Sequence, residues 1–198
     1  MIVGVLAVQG DFAEHISTLS SIGVVTREVR LPSDLEKVDA IIIPGGESTT
    51  LRKLFDIYQL SQAIINKAQK GTPIWGTCAG MIMLAKDLID DQPEPLGLMD
   101  ITVTRNAYGR QINSFEAPVI CPVLGAEPFN GIFIRAPSVS NIGKKVEIIG
   151  KLSDGSPVAL RQNNIMVTSF HPELTTDIRF HKFFSQIAKS NKDNPYIS

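Results

Sequence analysis

The chain has 198 residues, with 19 Lys and Arg against 20 Asp and Glu, a formal net charge of -1 at pH 7, and only two cysteines. Such a length suits one substantial domain (1–198, with about 191–198 as a frayed tail) that buries its core without disulfides. Interspersed charges leave no electrostatic footprint for nucleic acid or an anionic membrane. Cys78 and Cys121 lie outside any CxxC or Cys/His cluster, which argues against a disulfide scaffold, a zinc site or an iron–sulfur cluster; no metal and no cofactor is expected. No apolar run reaches membrane-spanning length and no basic leader precedes the first apolar residues, so a reducing cytoplasm is the expected compartment.

Ile2 to Val8 reads as a first core strand. Phe12, Ile16 and Leu19 then recur at helical spacing, Gly23 supplies a stop, and Val24-Val25 opens a second strand. Ala40 to Ile43 forms a third strand. Leu51, Leu54, Phe55 and Tyr58 mark one helix, and Ala63, Ile64 and Ala68 mark another that runs to Gly71. Thr72 to Trp75 reads as a short buried strand and Met81 to Ala85 as an apolar helix. This alternation predicts an α/β fold with three layers: a mostly parallel central sheet flanked by helices.

Beyond Asp90 the pattern changes. Gln92-Pro93-Glu94-Pro95 breaks the helix, and short strand-like runs follow at Ile101–Thr104, Pro118–Ile120, Gly131–Ile134, Val146–Lys151, Pro157–Arg161 and Ile165–Phe170. Short polar turns such as Asp154-Gly155 and Asn163-Asn164 link them, which predicts an antiparallel extension. Phe180, Phe183, Phe184 and Ile187 give a last helix, from Ile178 to about Lys189, an apolar stripe that belongs to the core.

Gly76-Thr77-Cys78-Ala79-Gly80 sits between a strand and a helix, where a nucleophile is held in a strained turn and small residues on either side let neighbouring chains pass. A thiol facing the free N–H groups of a helix start favours the thiolate. His171-Pro172-Glu173 follows a predicted strand and supplies an imidazole for the sulfur, with a carboxylate two residues on to orient the ring. Pro44-Gly45-Gly46-Glu47-Ser48 follows the third strand. Its Gly46 N–H, with that of Ala79, would make a two-donor oxyanion hole; a glycine turn capping the next helix is the alternative. His15 and His181 read as solvent-facing or partly buried structural residues on helices, and Cys121 as a buried, inert thiol.

These segments, together with Gln9-Gly10-Asp11-Phe12, Arg105-Asn106 and Phe133-Ile134-Arg135-Ala136-Pro137, resemble the class I (triad-type) glutamine amidotransferases over nearly the whole chain. Ala79, where many members carry Leu, and Met81 depart from the general pattern and suit the branch that serves pyridoxal phosphate synthesis. The resemblance implies a flavodoxin-like fold and hydrolysis of L-glutamine to glutamate and ammonia by Cys78, His171 and Glu173, with Gly46 and Ala79 as oxyanion donors. It further implies a partner synthase subunit that takes the ammonia and builds pyridoxal phosphate. By the same match Gly46, Glu47, Ser48, Arg105, Ile134 and Arg135 would line the glutamine site; surface salt bridges are the alternative for the two arginines. Gln9 would touch the oxyanion loop or the partner interface, or only cap the sheet. A cysteine peptidase or deglycase-like enzyme of related fold is the competing reading, but such proteins draw their histidine from beside the cysteine, where Ala79 stands. A non-catalytic relative would have lost a triad residue, and none is lost.

Overall fold

The computed structural model describes residues 1–106 and 114–193. Five strands form the parallel body of a seven-stranded sheet: β1 (Ile2–Leu6), β2 (Val25–Val29), β3 (Ala40–Ile43), β4 (Ile74–Thr77) and, late in the chain, β12 (Ile165–Thr168). They lie in the order β12-β4-β3-β1-β2. The antiparallel strands β10 (Glu147–Lys151) and β11 (Pro157–Gln162) extend the β12 side.

The period-2 alternation of a strand splits the core into two layers. Ala40 and Ile42 join Val3, Val5, Trp75 and Met166 on one face, while Ile41 and Ile43 join Ile74, Ile165 and Val167 on the other. Leu19 of α1 (Phe12–Ser21) and Phe180 and Phe184 of α6 (Arg179–Asp193) cover the first face. On the second lie Leu51 and Phe55 of α3 (Ser48–Ile57), Leu60 and Ile64 of α4 (Leu60–Gln69), and all of α5 (Ala79–Leu84) except Gly80. The short α2 (Pro32–Leu35) buries Leu35 there too.

Two smaller sheets complete the arrangement. β5 (Ala85–Leu88), β6 (Met99–Thr104) and β9 (Ser138–Ile142) form one, and the hairpin of β7 (Ser114–Val119) and β8 (Phe129–Ile134) forms the other, packing Phe129 and Phe133 against the α6 side. The three-layer α/β class expected from the alternation is the class observed.

The second half is less uniformly antiparallel than the sequence suggests. A turn at Asn163-Asn164 does make β11 and β12 antiparallel, but β12 is buried at every position and its other edge pairs in parallel with β4. Continuous apolarity of this kind marks a strand covered on both faces. The helix after Cys78 ends at Leu84, before the expected break at residues 92–95, because Ala85 turns extended and opens β5, which pairs in parallel with β6. The last helix reaches Asp193, beyond Lys189; the rest of the expected tail, 194–198, lies outside the described residues.

Candidate active site

The carboxyl ends of β1, β3, β4 and β12 open on one edge of the sheet, beside the place where the chain switches from one side of β1 to the other. Open parallel sheets bind ligands there. Cys78 follows β4 directly, with φ 48° and ψ −102°, a strained conformation for a residue with a side chain. Its N–H donates to Thr168 O at 2.8 Å, which ties the turn to β12. A Cβ on Gly76 would run into the backbone of Gly80, and one on Gly80 into the carbonyl of Ile43. Only glycine lets these chains pass so closely.

His171 follows β12, and its N–H donates to Ile132 O at 2.8 Å, which fixes the segment against β8. Pro172 opens a single 3-10 turn that returns Glu173 beneath the ring. Glu173 Oε1 lies 2.8 Å from His171 Nδ1, and Asp11 Oδ2 lies 3.2 Å from the same nitrogen. Two carboxylate oxygens facing Nδ1 require a proton there. Burial alone would lower the imidazole pKa; the neighbouring Asp11, Cys78 and Glu173 side chains outweigh it and push it up to about 12. Burial raises the Glu173 carboxyl, and His171 opposes that rise. Asp11, His171 and Glu173 offer ligand atoms within 4.8 Å of one another, but here the ring proton already fills the space between the carboxylates.

The N–H groups of Gly46 and Ala79 donate to no acceptor among the described residues. Ala79 is the first residue of α5, where an N–H has no partner within the helix. Gly46 has φ 155°, and the Gln9 side chain packs so closely on it that a Cβ would overlap the amide. Gln9 Oε1 accepts the Glu47 N–H at 3.2 Å, and Gly45 O accepts the Asp11 N–H at 3.3 Å. The loop after β1 thus holds the loop after β3 at both ends.

A cavity of about 260 Å³ opens above the sulfur, and Cys78, His171, Gly46, Glu47, Ser48, Arg105, Ile134 and Arg135 all reach its wall. Ala79, Glu173 and Gln9 stand behind that wall. The two arginines differ. Arg105 is committed, with Nη1 donating to Gln92 O at 2.7 Å and Nη2 3.6 Å from Glu47 Oε1. Arg135, at φ 44°, has no ion pair or hydrogen bond among the described residues, and its charge is open to a ligand. The Glu47 carboxylate caps α3: burial would raise it, but the Thr50 hydroxyl and the N–H groups of Thr49 and Thr50 bring it down to about 2.

Sequence reasoning missed the role of three residues. Asp11 belongs to the Gln9-Gly10-Asp11-Phe12 segment, where the sequence alone assigns it no function, yet it touches His171. His15 and His181, expected at the surface or partly buried, are both 0% exposed, and His15 Nε2 lies 3.3 Å from Glu173 Oε2. Helical spacing places His15 one turn before Leu19 on the buried face of α1, the signal that could have found it. Cys121 is 3% exposed, and burial pushes its thiol up to about 11.

Among the described residues no helix is long and apolar enough to cross a membrane. A curated relative from Dehalococcoides mccartyi, "Pyridoxal 5'-phosphate synthase subunit PdxT", is 54% identical over 194 residues, 97% of this chain and 100% of that protein. A protein of the same name from Herpetosiphon aurantiacus is 53% identical over 187 residues, 93% of this chain and 98% of that one. A crystal structure of a glutamine amidotransferase superposes with a TM-score of 0.89 at 43% identity, covering 96% of this chain and 100% of that chain. The model of the SNO glutamine amidotransferase family matches residues 5–190, and with a cysteine, an imidazole and a carboxylate gathered at one sheet edge the chain belongs to that family and is a glutamine amidotransferase.

Proposed function

We propose that this chain is the glutaminase subunit of a pyridoxal 5'-phosphate synthase, cleaving L-glutamine at Cys78 and passing the ammonia to a partner synthase subunit in the cytoplasm. The observation that carries the reading is that Cys78 and His171 face one cavity while Glu173 Oε1 lies 2.8 Å from His171 Nδ1. In the first step the Cys78 sulfur forms a bond to the side-chain carboxamide carbon of glutamine, and the carbonyl electron pair moves to oxygen as an oxyanion. The free N–H groups of Gly46 and Ala79 face that charge. His171 then gives its proton to the departing nitrogen, ammonia leaves and a thioester remains. In the second step His171 takes a proton from water, the hydroxide adds to the thioester, and glutamate leaves as the carbon–sulfur bond breaks. Glu173 keeps the ring oriented and balances the imidazolium throughout. Arg135 meets the substrate's free α-carboxylate.

The relatives named as pyridoxal 5'-phosphate synthase subunits support the choice of partner. The test is release of glutamate and ammonia from glutamine by the chain mixed with its synthase partner, and by Cys78→Ala in the same mixture. Turnover by the wild type, none by Cys78→Ala, and full turnover by Cys121→Ala are expected. Turnover by Cys78→Ala would overturn the reading.

A further inference from the structure

Behind the triad two histidines are sealed from solvent, and the chemistry above uses neither. His15 Nδ1 lies 2.9 Å from His181 Nε2, while His15 Nε2 lies 3.2 Å from Thr77 Oγ1 and 3.3 Å from Glu173 Oε2. Glu173 Oε1 is taken by His171, but Oε2 has no aligned donor; the His15 N–H is better directed at Thr77 and faces Oε2 beside it.

These contacts allow one arrangement of protons. A lone pair on His15 Nε2 would face a carboxylate oxygen at 3.3 Å, so Nε2 carries the hydrogen. His15 Nδ1 is then an acceptor, and His181 must present Nε2–H to it. That leaves His181 Nδ1 as a bare acceptor, and it is indeed without a partner among the described residues. The reverse assignment would bury an unpaired N–H and set two lone pairs 2.9 Å apart. Trp75 fixes both rings, with centroids 5.5 Å from His15 and 5.1 Å from His181.

We infer that His181 and His15 form a positioning relay for the triad: the His181 N–H fixes the tautomer of His15, and the His15 N–H, donated to Thr77 Oγ1, keeps its positive end 3.3 Å from the second oxygen of Glu173 and so steadies that carboxylate against His171. The inference rests on the triad reading above. Burial first, then His181 and His171, keep His15 neutral well below its ordinary range, and burial brings His181 down to about 4. Neutrality suits the task. A cation beside Glu173 would replace His171 as its counter-charge, whereas a neutral N–H stabilises the carboxylate and leaves the ion pair with His171 intact. The charged or titratable groups around Glu173 are His171, His15 and Asp11, and around His15 they are His181, His171 and Glu173.

The test uses the chain with its synthase partner and compares His15→Leu, His15→Gln, Glu173→Gln, and His15→Leu combined with Glu173→Gln. His15→Leu is expected to lower kcat about three- to tenfold at nearly constant KM, the scale of one lost neutral hydrogen bond. It should also move the acidic limb of kcat to higher pH, because Glu173 protonates more readily without the N–H dipole beside Oε2. His15→Gln, whose amide can reach the position of Nε2, should recover most of the rate. In the Glu173→Gln background His15→Leu should cost little more. An additive loss in that background, or an unchanged pH profile, overturns the inference. If His15→Leu does not fold, nitrogen-15 shifts of His15 in the Cys78→Ala chain provide the second measurement: Nε2–H alone is expected, mixed tautomers in His181→Phe. A single tautomer in both would overturn it. Turnover in Cys78→Ala would instead defeat the triad reading, so the two failures are distinguishable.

Discussion

Asp11 Oδ2 lies 3.2 Å from His171 Nδ1, the same ring nitrogen that Glu173 Oε1 meets at 2.8 Å. The two carboxylates are not equivalent. The Asp11 side chain is 36% exposed, while that of Glu173 is fully buried. An exposed ion pair contributes about 1 kcal/mol or less, so Asp11→Asn should lower kcat no more than about fivefold. Glu173→Gln should cost far more, because the buried contact sets the ring. Steady-state kcat for the two variants decides this; a larger drop for Asp11→Asn would make Asp11 the principal orienter.

The two arginines at the cavity should separate in the kinetics. Arg135 has a guanidinium with no partner among the described residues, and Arg105 already holds Gln92 O and approaches Glu47. A hydrogen bond to a charged group contributes about 1.5 to 3 kcal/mol, so Arg135→Ala should raise the KM for glutamine roughly ten- to a hundredfold, with kcat falling much less. Arg105→Ala should raise KM less and also lower the melting temperature, since it releases the loop after β5. Equal KM effects with unchanged stability would mean that Arg105 turns to the substrate when glutamine binds.

How much of this was legible in the sequence follows from what is local. Cys78 and its flanking glycines form a contiguous pattern whose geometry is set by near neighbours, and the fold class follows from alternating periods along the chain. His171 and Glu173 were readable for the same reason, being two residues apart. The contacts of Asp11, His15 and His181 were not, because each arises from helices that pack across the sheet. His15 and His181 are 166 positions apart and meet only because α1 and α6 cover the same face. The parallel pairing of β12 with β4 is likewise invisible locally: a turn announces one neighbour of a strand and says nothing of the other.

The buried histidines also predict an acid limb of stability. His181 is held neutral by burial, with its pKa brought down to about 4 from an ordinary 6.5. The unfolded chain takes up a proton below pH 6.5 that the folded chain refuses until about pH 4, so stability from this group is present above 6.5 and is lost as pH falls through that window. The full loss is roughly 3 kcal/mol. His171 is flat there, since its raised pKa keeps it protonated in the folded state and the unfolded state is protonated as well. Denaturant titrations between pH 7 and pH 4 should therefore show a shallower decline for His181→Phe than for the wild type; equal slopes would mean that His181 is charged in the folded chain.

The oxyanion loop points to control by the partner. Glu47 N–H is held by Gln9 and Gly45 O by the Asp11 N–H, while the Gly46 N–H between them has no acceptor among the described residues and Gly46 itself has φ 155°. The Gly46 N–H shares a peptide plane with Gly45 O, so turning that donor breaks the 3.3 Å hydrogen bond from the Asp11 N–H but meets little steric resistance between two glycines, and its aim depends on what restrains the loop. One oxyanion donor is responsible for on the order of a hundredfold or more in turnover. The isolated chain should accordingly be a slow glutaminase, and a synthase partner that orders the loop should raise kcat by about that factor. Linkage then requires glutamine to tighten the association of the two proteins by the same coupling that the partner exerts on glutamine. Gln9→Ala, which removes the acceptor for the Glu47 N–H and the amide packed on Gly46, should reduce the activation while leaving the residual rate of the lone chain nearly unchanged. Titrating the synthase into the glutaminase assay, with the affinity of the complex measured on Cys78→Ala with and without glutamine, checks each part. Full activity of the lone chain together with association indifferent to glutamine would show that the loop is already set.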